Sequence, residues 1–408
     1  MSRGFYLTVA AVLVAAAAVL IGMWFVQKPR AEDSVYVPKK EVITPEITLL
    51  QQYVRIDTSN PPGREGAGAR FLVDQFERAG IRAELIESAP GRANVYARIR
   101  GGRPGEGLLL LHHIDVVPSD GKGWTRPPFA AEIHLNNLYG RGALDMKSIG
   151  IAQLLAFIDV AKSGVTPKRD LVFLASADEE EGSEQGIEWL LEHRPDIFEG
   201  VKYALNEGGI TEIVREKLVY FAVEIGSKQM VTLEVRAPDR GSLRRARLAL
   251  EPRFESRDPE RISPAVNEYF RAIVPVRKSG TGILSDAGRA VAEGKVWNLE
   301  PAYRALTQNQ IIMSGPEKRG GLYVADVSLV NLPEEDPDTV IGKFRDAVAP
   351  YGVEVGVIRK MGPTAVSSPR TPLFSLIETH VKTSYGDQAR IGPFFPPGVS
   401  VETISALK

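Results

Sequence analysis

Four short stretches of the chain bring together residues able to hold a metal ion and move a proton: HHIDVVP (112–118), GRGALDMK (140–147), ADEEEGS (177–183) and LNEGG (205–209). Each places an imidazole or a carboxylate just past an apolar run. The first is the most informative. Four leucines lead directly into His112, His113 and Asp115. Residues i and i+2 share a face of a strand, so His113 and Asp115 point together and His112 points away. A neutral imidazole beside a carboxylate is how a metal ligand and its orienting partner are commonly built. Taken singly, each residue has an ordinary reading. His113 can be a satisfied core histidine, Asp145 a helix cap, Glu179–Glu181 a solvated loop and Glu207 a turn residue. Taken together, four carboxylates brought to one place would repel and raise one another's pKa unless cations sat among them. A carboxylate can bridge two ions roughly 3.5–4 Å apart.

The elements that must position these residues follow from local patterning. Thr44-Pro45-Glu46 reads as a helix start, a hydroxyl cap followed by proline. That helix turns Ile47, Leu50 and Val54 inward and stops before DTSNPPG, a run of turn formers. A second amphipathic helix is expected over 67–80, and strands near 82–87, 93–99 and 107–112. GRGALDMK feeds a long helix, and DLVFLASADEEEGSEQGIEWLLEH repeats the plan of buried strand, acidic loop and helix. Strands alternating with helices indicate an α/β domain with a largely parallel sheet, which places ligands beyond the carboxyl ends of its strands. From Tyr220 the pattern changes. FAVEIGSKQMVTLEVRAP alternates like antiparallel strands, 245–310 is helical and charged, and GLYVADVSLV, DPDTVIGKFRDAV and VEVGVIR read as strand, helix and strand. That is a small α+β insert, after which PLFSLIETHVKTSYGD returns to helix.

Bulk properties exclude some functions. The 408 residues suffice for two domains, and a formal charge of −1 gives no electrostatic case for nucleic acid. With no cysteine, disulfides and thiolate metal sites are excluded, and any metal must rest on histidine and carboxylates. Phe5 to Val26 carries no charge, and a bilayer is spanned by about 20 apolar residues. A single-pass N-terminal anchor, with the following domain on the extracytoplasmic side, is favoured over a cleaved signal peptide or a buried helix.

The motifs VRIDTSNPPG, GRANVYARI, HHIDVVP, GWTRPPF, LYGRGALDMK, ADEEEGS and NEGG occur in an order that resembles the aminoacylase/carboxypeptidase family of zinc metallohydrolases. Acetylornithine deacetylase, succinyl-diaminopimelate desuccinylase and the carboxypeptidase S type belong to that family. The resemblance is close over 45–225 and loose elsewhere. It implies a three-layer catalytic domain and a ferredoxin-like lid and dimerisation insert. The expected order is a flank at 1–4, the anchor at 5–26, a tether at 27–44, the catalytic domain at 45–222, the insert at 223–360 and a partial catalytic return at 361–408. It also implies roles. His113 and Glu207 bind the first of two Zn2+ ions, Asp145 bridges both with a cis peptide after it, and Glu180 binds the second. Asp115 orients His113, and Glu179 is the general base. The reaction would be hydrolysis of an amide next to a free carboxylate, in a small peptide or an N-acyl amino acid. Cobalt or manganese could replace zinc, and a homodimer fits the insert.

The chain departs from the family pattern in places. It has five histidines, with none between His193 and His380, so the lid histidine is missing; Ser328 stands where the lid would carry arginine. The tail lacks the family's Gly-Thr-Asp-x-Arg segment and its last histidine, as if C-terminally incomplete. The second ion would then keep only Asp145 and Glu180, a poor zinc site, and bind weakly. The alternative to an active hydrolase is a degenerate homologue serving as a binding or scaffold protein.

Overall fold

The computed structural model describes residues 42–214, 217–254, 264–273, 305–333, 335–360 and 366–394. The chain opens with two helices, α1 (Pro45–Val54) and α2 (Glu65–Arg78). Thr44 caps the first as expected, its hydroxyl accepting from the Ile47 N–H at 3.3 Å. Strands β1 (Glu84–Ala89), β2 (Arg92–Ile99) and β3 (Gly107–His113) follow. A short hairpin of β4 (Glu132–His134) and β5 (Asn137–Tyr139) leads to helix α3 (Ser148–Lys162). Strand β6 (Leu171–Ser176), helix α4 (Ile187–His193) and strand β7 (Val201–Leu205) complete this part.

These strands form a five-stranded sheet in the order β1-β2-β6-β3-β7. It is mixed: β6-β3-β7 pair in parallel, while β1-β2 and β2-β6 are antiparallel. Helices α1, α2 and α3 cover one face, packing Tyr53, Leu72, Phe76, Ile151, Leu154 and Phe157 against Val95, Leu110 and Phe173. The other face buries Leu109, Leu111, Val172 and Leu174 under Ile187 and Leu190 of α4. Burying each such side chain contributes about 1.5–3 kcal/mol. Both faces of β3 are therefore committed, and a one-residue slip would drive His113 into the aromatic core in place of His112.

His112 is a core residue. It lies edge-on to Phe173, with ring centroids 5.2 Å apart, and Gly150 lets α3 pass where a Cβ would strike the ring. The Gln153 amide donates to the carbonyls of Leu111 (2.9 Å) and Leu205 (3.1 Å). Its oxygen must therefore accept, which puts the proton on His112 Nδ1 at 3.1 Å. Burial pushes this imidazole down to about 3 from an ordinary 6.5. Between those values the unfolded chain binds a proton that the folded chain refuses, so His112 removes stability as pH falls from 6.5 toward 3. Wild-type Tm should accordingly drop more steeply over that window than the Tm of His112→Asn. Equal slopes in a pH series of melts would contradict this.

The second half is built on other sheets. Strands β8 (Thr211–Val214) and β9 (Lys217–Glu224) pair antiparallel, and β9 pairs in parallel with β15 (Ile391–Phe394). Strand β10 (Gln229–Ala237) sits in an antiparallel sheet of order β11-β13-β10-β14, made with β11 (Gln310–Met313), β13 (Leu322–Asn331) and β14 (Glu354–Lys360). A short β12 (Glu317–Arg319) extends it at β13. Helices α5 (Arg240–Phe254) and α7 (Pro337–Val348) cover one face, burying Leu243, Val340 and Phe344 on Val231, Leu233 and Val327. Helix α6 (Pro264–Ile273) and, near the end, α8 (Pro372–Tyr385) complete the described elements. The two strands within FAVEIGSKQMVTLEVRAP each have antiparallel partners, but they belong to different sheets.

The expected membrane anchor is corrected. Residues 5–26 lie outside the described residues, and among the described residues no helix is long and apolar enough to cross a membrane. The apolar helix α3 has only 15 residues, short of the roughly 20 a span needs, and buries one side on the sheet. The transmembrane helix, the membrane as a partner and the extracytoplasmic placement are withdrawn with it.

Candidate metal centre

Four chain segments meet beyond the carboxyl end of β3. His113, at the last position of that strand, is fully buried. Its Nδ1 lies 3.0 Å from the backbone carbonyl of Asp115 and 3.6 Å from the Asp115 carboxylate. Nδ1 therefore donates chiefly to the main chain, which leaves Nε2 aimed outward. Nε2 lies 3.0 Å from Asp145 Oδ1 and 3.9 Å from Glu207 Oε2. Ligand atoms of His113, Asp145 and Glu207 all fall within 4.8 Å of one another. An imidazole and two carboxylates with room for a further ligand suit a divalent ion such as zinc.

Asp145 reaches this point from an irregular turn, Ala143–Lys147, with a cis peptide between Asp145 and Met146, as the resemblance implied. The turn is tied down behind the site by Lys147. Its buried ammonium donates to the carbonyls of Tyr53 (3.2 Å) and Ile56 (2.7 Å) and lies 4.9 Å from the centre of the Tyr53 ring. Glu207 follows β7, and the next two residues are glycines; the Gly209 N–H donates to Glu224 at 3.2 Å.

Asp115 does more than face His113. Fully buried, its carboxylate accepts the backbone N–H groups of both Glu179 and Glu180, each at 3.1 Å, and the Asn60 amide at 2.9 Å. Burial opposes its charge, but the His113 imidazole, the Asn60 amide and the Glu180 N–H hold it below the usual carboxylate range. Asp115 thus fastens the acidic loop to β3. Asn60 also donates to Asp178 at 2.8 Å, and Asp178 accepts the Arg92 guanidinium, whose other partner is the buried Glu65. Asn60, Glu65, Arg92 and Asp178 were not singled out from the sequence. Asn60 lay in a run read as turn formers, and Asp178 inside the acidic stretch, next to residues given roles.

The electrostatics are those of a site that gathers negative charge. Burial, reinforced by Asp145, Glu179 and Asp115, pushes Glu180 up to about 7. Glu207 is raised by burial and then by the neighbouring Glu179 and Asp145. Burial favours neutral His113, yet hydrogen bonding to Asp115 and Asp145 and the charge of Glu179 outweigh it and raise it well above 6.5. A proton on His113 stands where a cation would.

Glu180 does not join the three-residue cluster, which among the described residues is the one group of its kind. The other histidines give it no help: His134, His193 and His380 are exposed, His193 stacked on Trp189 and His380 on α8. Beside Glu207 a cavity of about 770 Å³ opens between β7, β9 and the start of α8, with Phe221, Ile225, Phe374 and Ile377 among its walls.

The model of Peptidase family M20/M25/M40 matches residues 109–398. Aminoacylase-1 of Sus scrofa is 34% identical over 168 residues, 40% of this chain and 41% of that protein. Succinyl-diaminopimelate desuccinylase of Methylorubrum extorquens is 38% identical over 154 residues, 36% of this chain and 38% of that protein. The chain thus spans about two fifths of the length of these curated relatives. In fold, it is similar to an M20 family metallo-carboxypeptidase of Sulfolobus solfataricus (TM-score 0.66, 18% identity, covering 89% of this chain and 88% of that one). The di-peptidase Dug1p of Saccharomyces cerevisiae gives 0.63 at 14% identity, covering 89% and 86%. With more than half its length matched and a His/Asp/Glu cluster beyond the carboxyl end of β3, the chain belongs to Peptidase family M20/M25/M40.

Proposed function

We propose that the chain hydrolyses the amide bond beside a free carboxylate in a small peptide or an N-acyl amino acid, using zinc held by His113, Asp145 and Glu207. The observation that carries this is the convergence of those three ligand atoms, drawn from β3, the turn before α3 and the loop after β7. When bound, the ion supplies a Lewis acid that polarises a carbonyl and acidifies water. Glu179, buried and close enough to His113 to raise its pKa, accepts the proton of the attacking water and delivers it to the departing amine nitrogen. Asp115 positions both sides of this chemistry, the imidazole through its carbonyl and the Glu179–Glu180 backbone through its carboxylate. The adjoining cavity falls within the range, about 300–1,000 Å³, that encloses small ligands. A second zinc would have only Asp145 and Glu180 to hold it and would bind more weakly than the first. Cobalt and manganese suit the same ligands.

Chelator-treated protein should lose the release of amino acid from N-acyl amino acids and dipeptides, and added zinc should restore it. Zinc-loaded protein that turns over no member of such a panel would favour the alternative of a degenerate homologue acting as a scaffold. Binding should also depend on pH. The ion must displace the proton on His113 Nε2 and those that Glu180 and Glu207 retain near neutrality. Zinc affinity should therefore rise from pH 6 to 8, with proton release visible by calorimetry in buffers of different ionisation enthalpy. Affinity independent of pH would contradict this ligand set.

A further inference from the structure

We propose that Arg359 is a positioning residue that clamps the acidic loop carrying Glu179 and Glu180 from the opposite side of the site. It lies on β14, at the edge of the second sheet. The pairing of β14 with β10 runs Thr232 to Arg359 and then Leu233 to Val357, so Ile358 is an extra residue, a bulge immediately before the arginine. Bulges re-aim the side chains next to them. Arg359 leaves its own sheet and meets the loop: Nη1 donates to the Glu181 carbonyl at 2.8 Å, and Nη2 donates to the Gly182 carbonyl.

The loop is built to receive it. Gly182 has a φ of +107°, a conformation open to glycine, and a Cβ there would overlap the guanidinium. On its inner side the loop is held by acceptors, since Asp115 takes the Glu179 and Glu180 N–H groups and Asp178 takes that of Gln185. On its outer side two successive carbonyls point away, and a planar fork with several donors is the side chain that can satisfy both. Inner carboxylates and outer guanidinium thus grip opposite poles of one turn, through bonds strengthened by charge. Arg359 bonds the loop's backbone rather than the candidate ligand atoms of His113, Asp145 or Glu207. Its effect is to fix where the Glu179 carboxylate sits and to tie that placement to the second sheet.

The kinetic part of the test rests on Glu179 being the base, as proposed above; the exchange part does not. In Arg359→Ala, kcat should fall about tenfold with KM within about twofold and zinc content unchanged, as expected when a base is loosened and binding is not. Amide hydrogen exchange across 179–184 should accelerate in the same protein. Arg359→Lys, able to reach one carbonyl, should recover part of both effects. Gly182→Ala should reproduce the loosening, and adding Arg359→Ala to it should cost little more. Wild-type exchange in Arg359→Ala overturns the clamp, whether or not the protein turns over any substrate. Faster exchange with unchanged kcat overturns its catalytic consequence.

Discussion

Replacing Glu179 by glutamine is expected to lower kcat for amide hydrolysis by about 10³-fold while leaving bound zinc unchanged. Glutamine keeps the volume and the backbone N–H that Asp115 accepts at 3.1 Å, so the loop retains its anchor. What it loses is basicity. Glu179 is buried beside His113 and raises the pKa of both Glu180 and Glu207, so it lies where a proton leaving water at the cluster would be received. The zinc ligands are untouched, and metal analysis and kcat should therefore separate cleanly. A variant retaining more than a tenth of wild-type kcat would remove Glu179 from the chemistry and leave only the metal to account for it.

Asp115→Ala should be the most destabilising change near the site. Its carboxylate is fully buried and accepts from Asn60, Glu179 and Glu180. Alanine leaves two backbone donors and one amide without that partner and removes a charge facing His113 at 3.6 Å. An unsatisfied buried donor costs about 1–3 kcal/mol, and breaking a buried charged pair about 3–5 kcal/mol. Because the groups share one network, the losses are not additive, and a total of about 3–5 kcal/mol is expected from denaturant titration. Asp115→Asn keeps one acceptor and should lose less. Zinc affinity should fall in both, since the acidic loop and the imidazole are fixed by the same residue. A cost below about 1 kcal/mol in Asp115→Ala would mean that this network carries little of the fold.

Local patterning determined much of this molecule. The caps at Thr44 and Asp336, the amphipathic helices and the apolar runs of β2, β3 and β6 are where their residue types put them, because period and capping depend on neighbours a few positions away. The opposite facing of His112 and His113 was legible for the same reason: a strand has a period of two and both faces of β3 are buried. The chemical character of the ligands was legible too, since with cysteine absent only imidazole and carboxylates remained.

What tertiary structure decided is partnership. Local alternation reports that a strand has a buried face but not which strand lies beside it: β9 pairs antiparallel with β8 and in parallel with β15, whereas β10 pairs antiparallel with β13 and β14 in another sheet. Charge-free composition suggested a membrane span at 5–26, whereas among the described residues no helix is long and apolar enough to cross a membrane. Asn60 joins Asp115 and Asp178 across 55 and 118 residues, and Arg359 meets Glu181 across 178. No spacing rule reaches that far. Such contacts depend on how sheets and loops pack in three dimensions, and here that packing brings His113, Asp145 and Glu207 within reach of one ion.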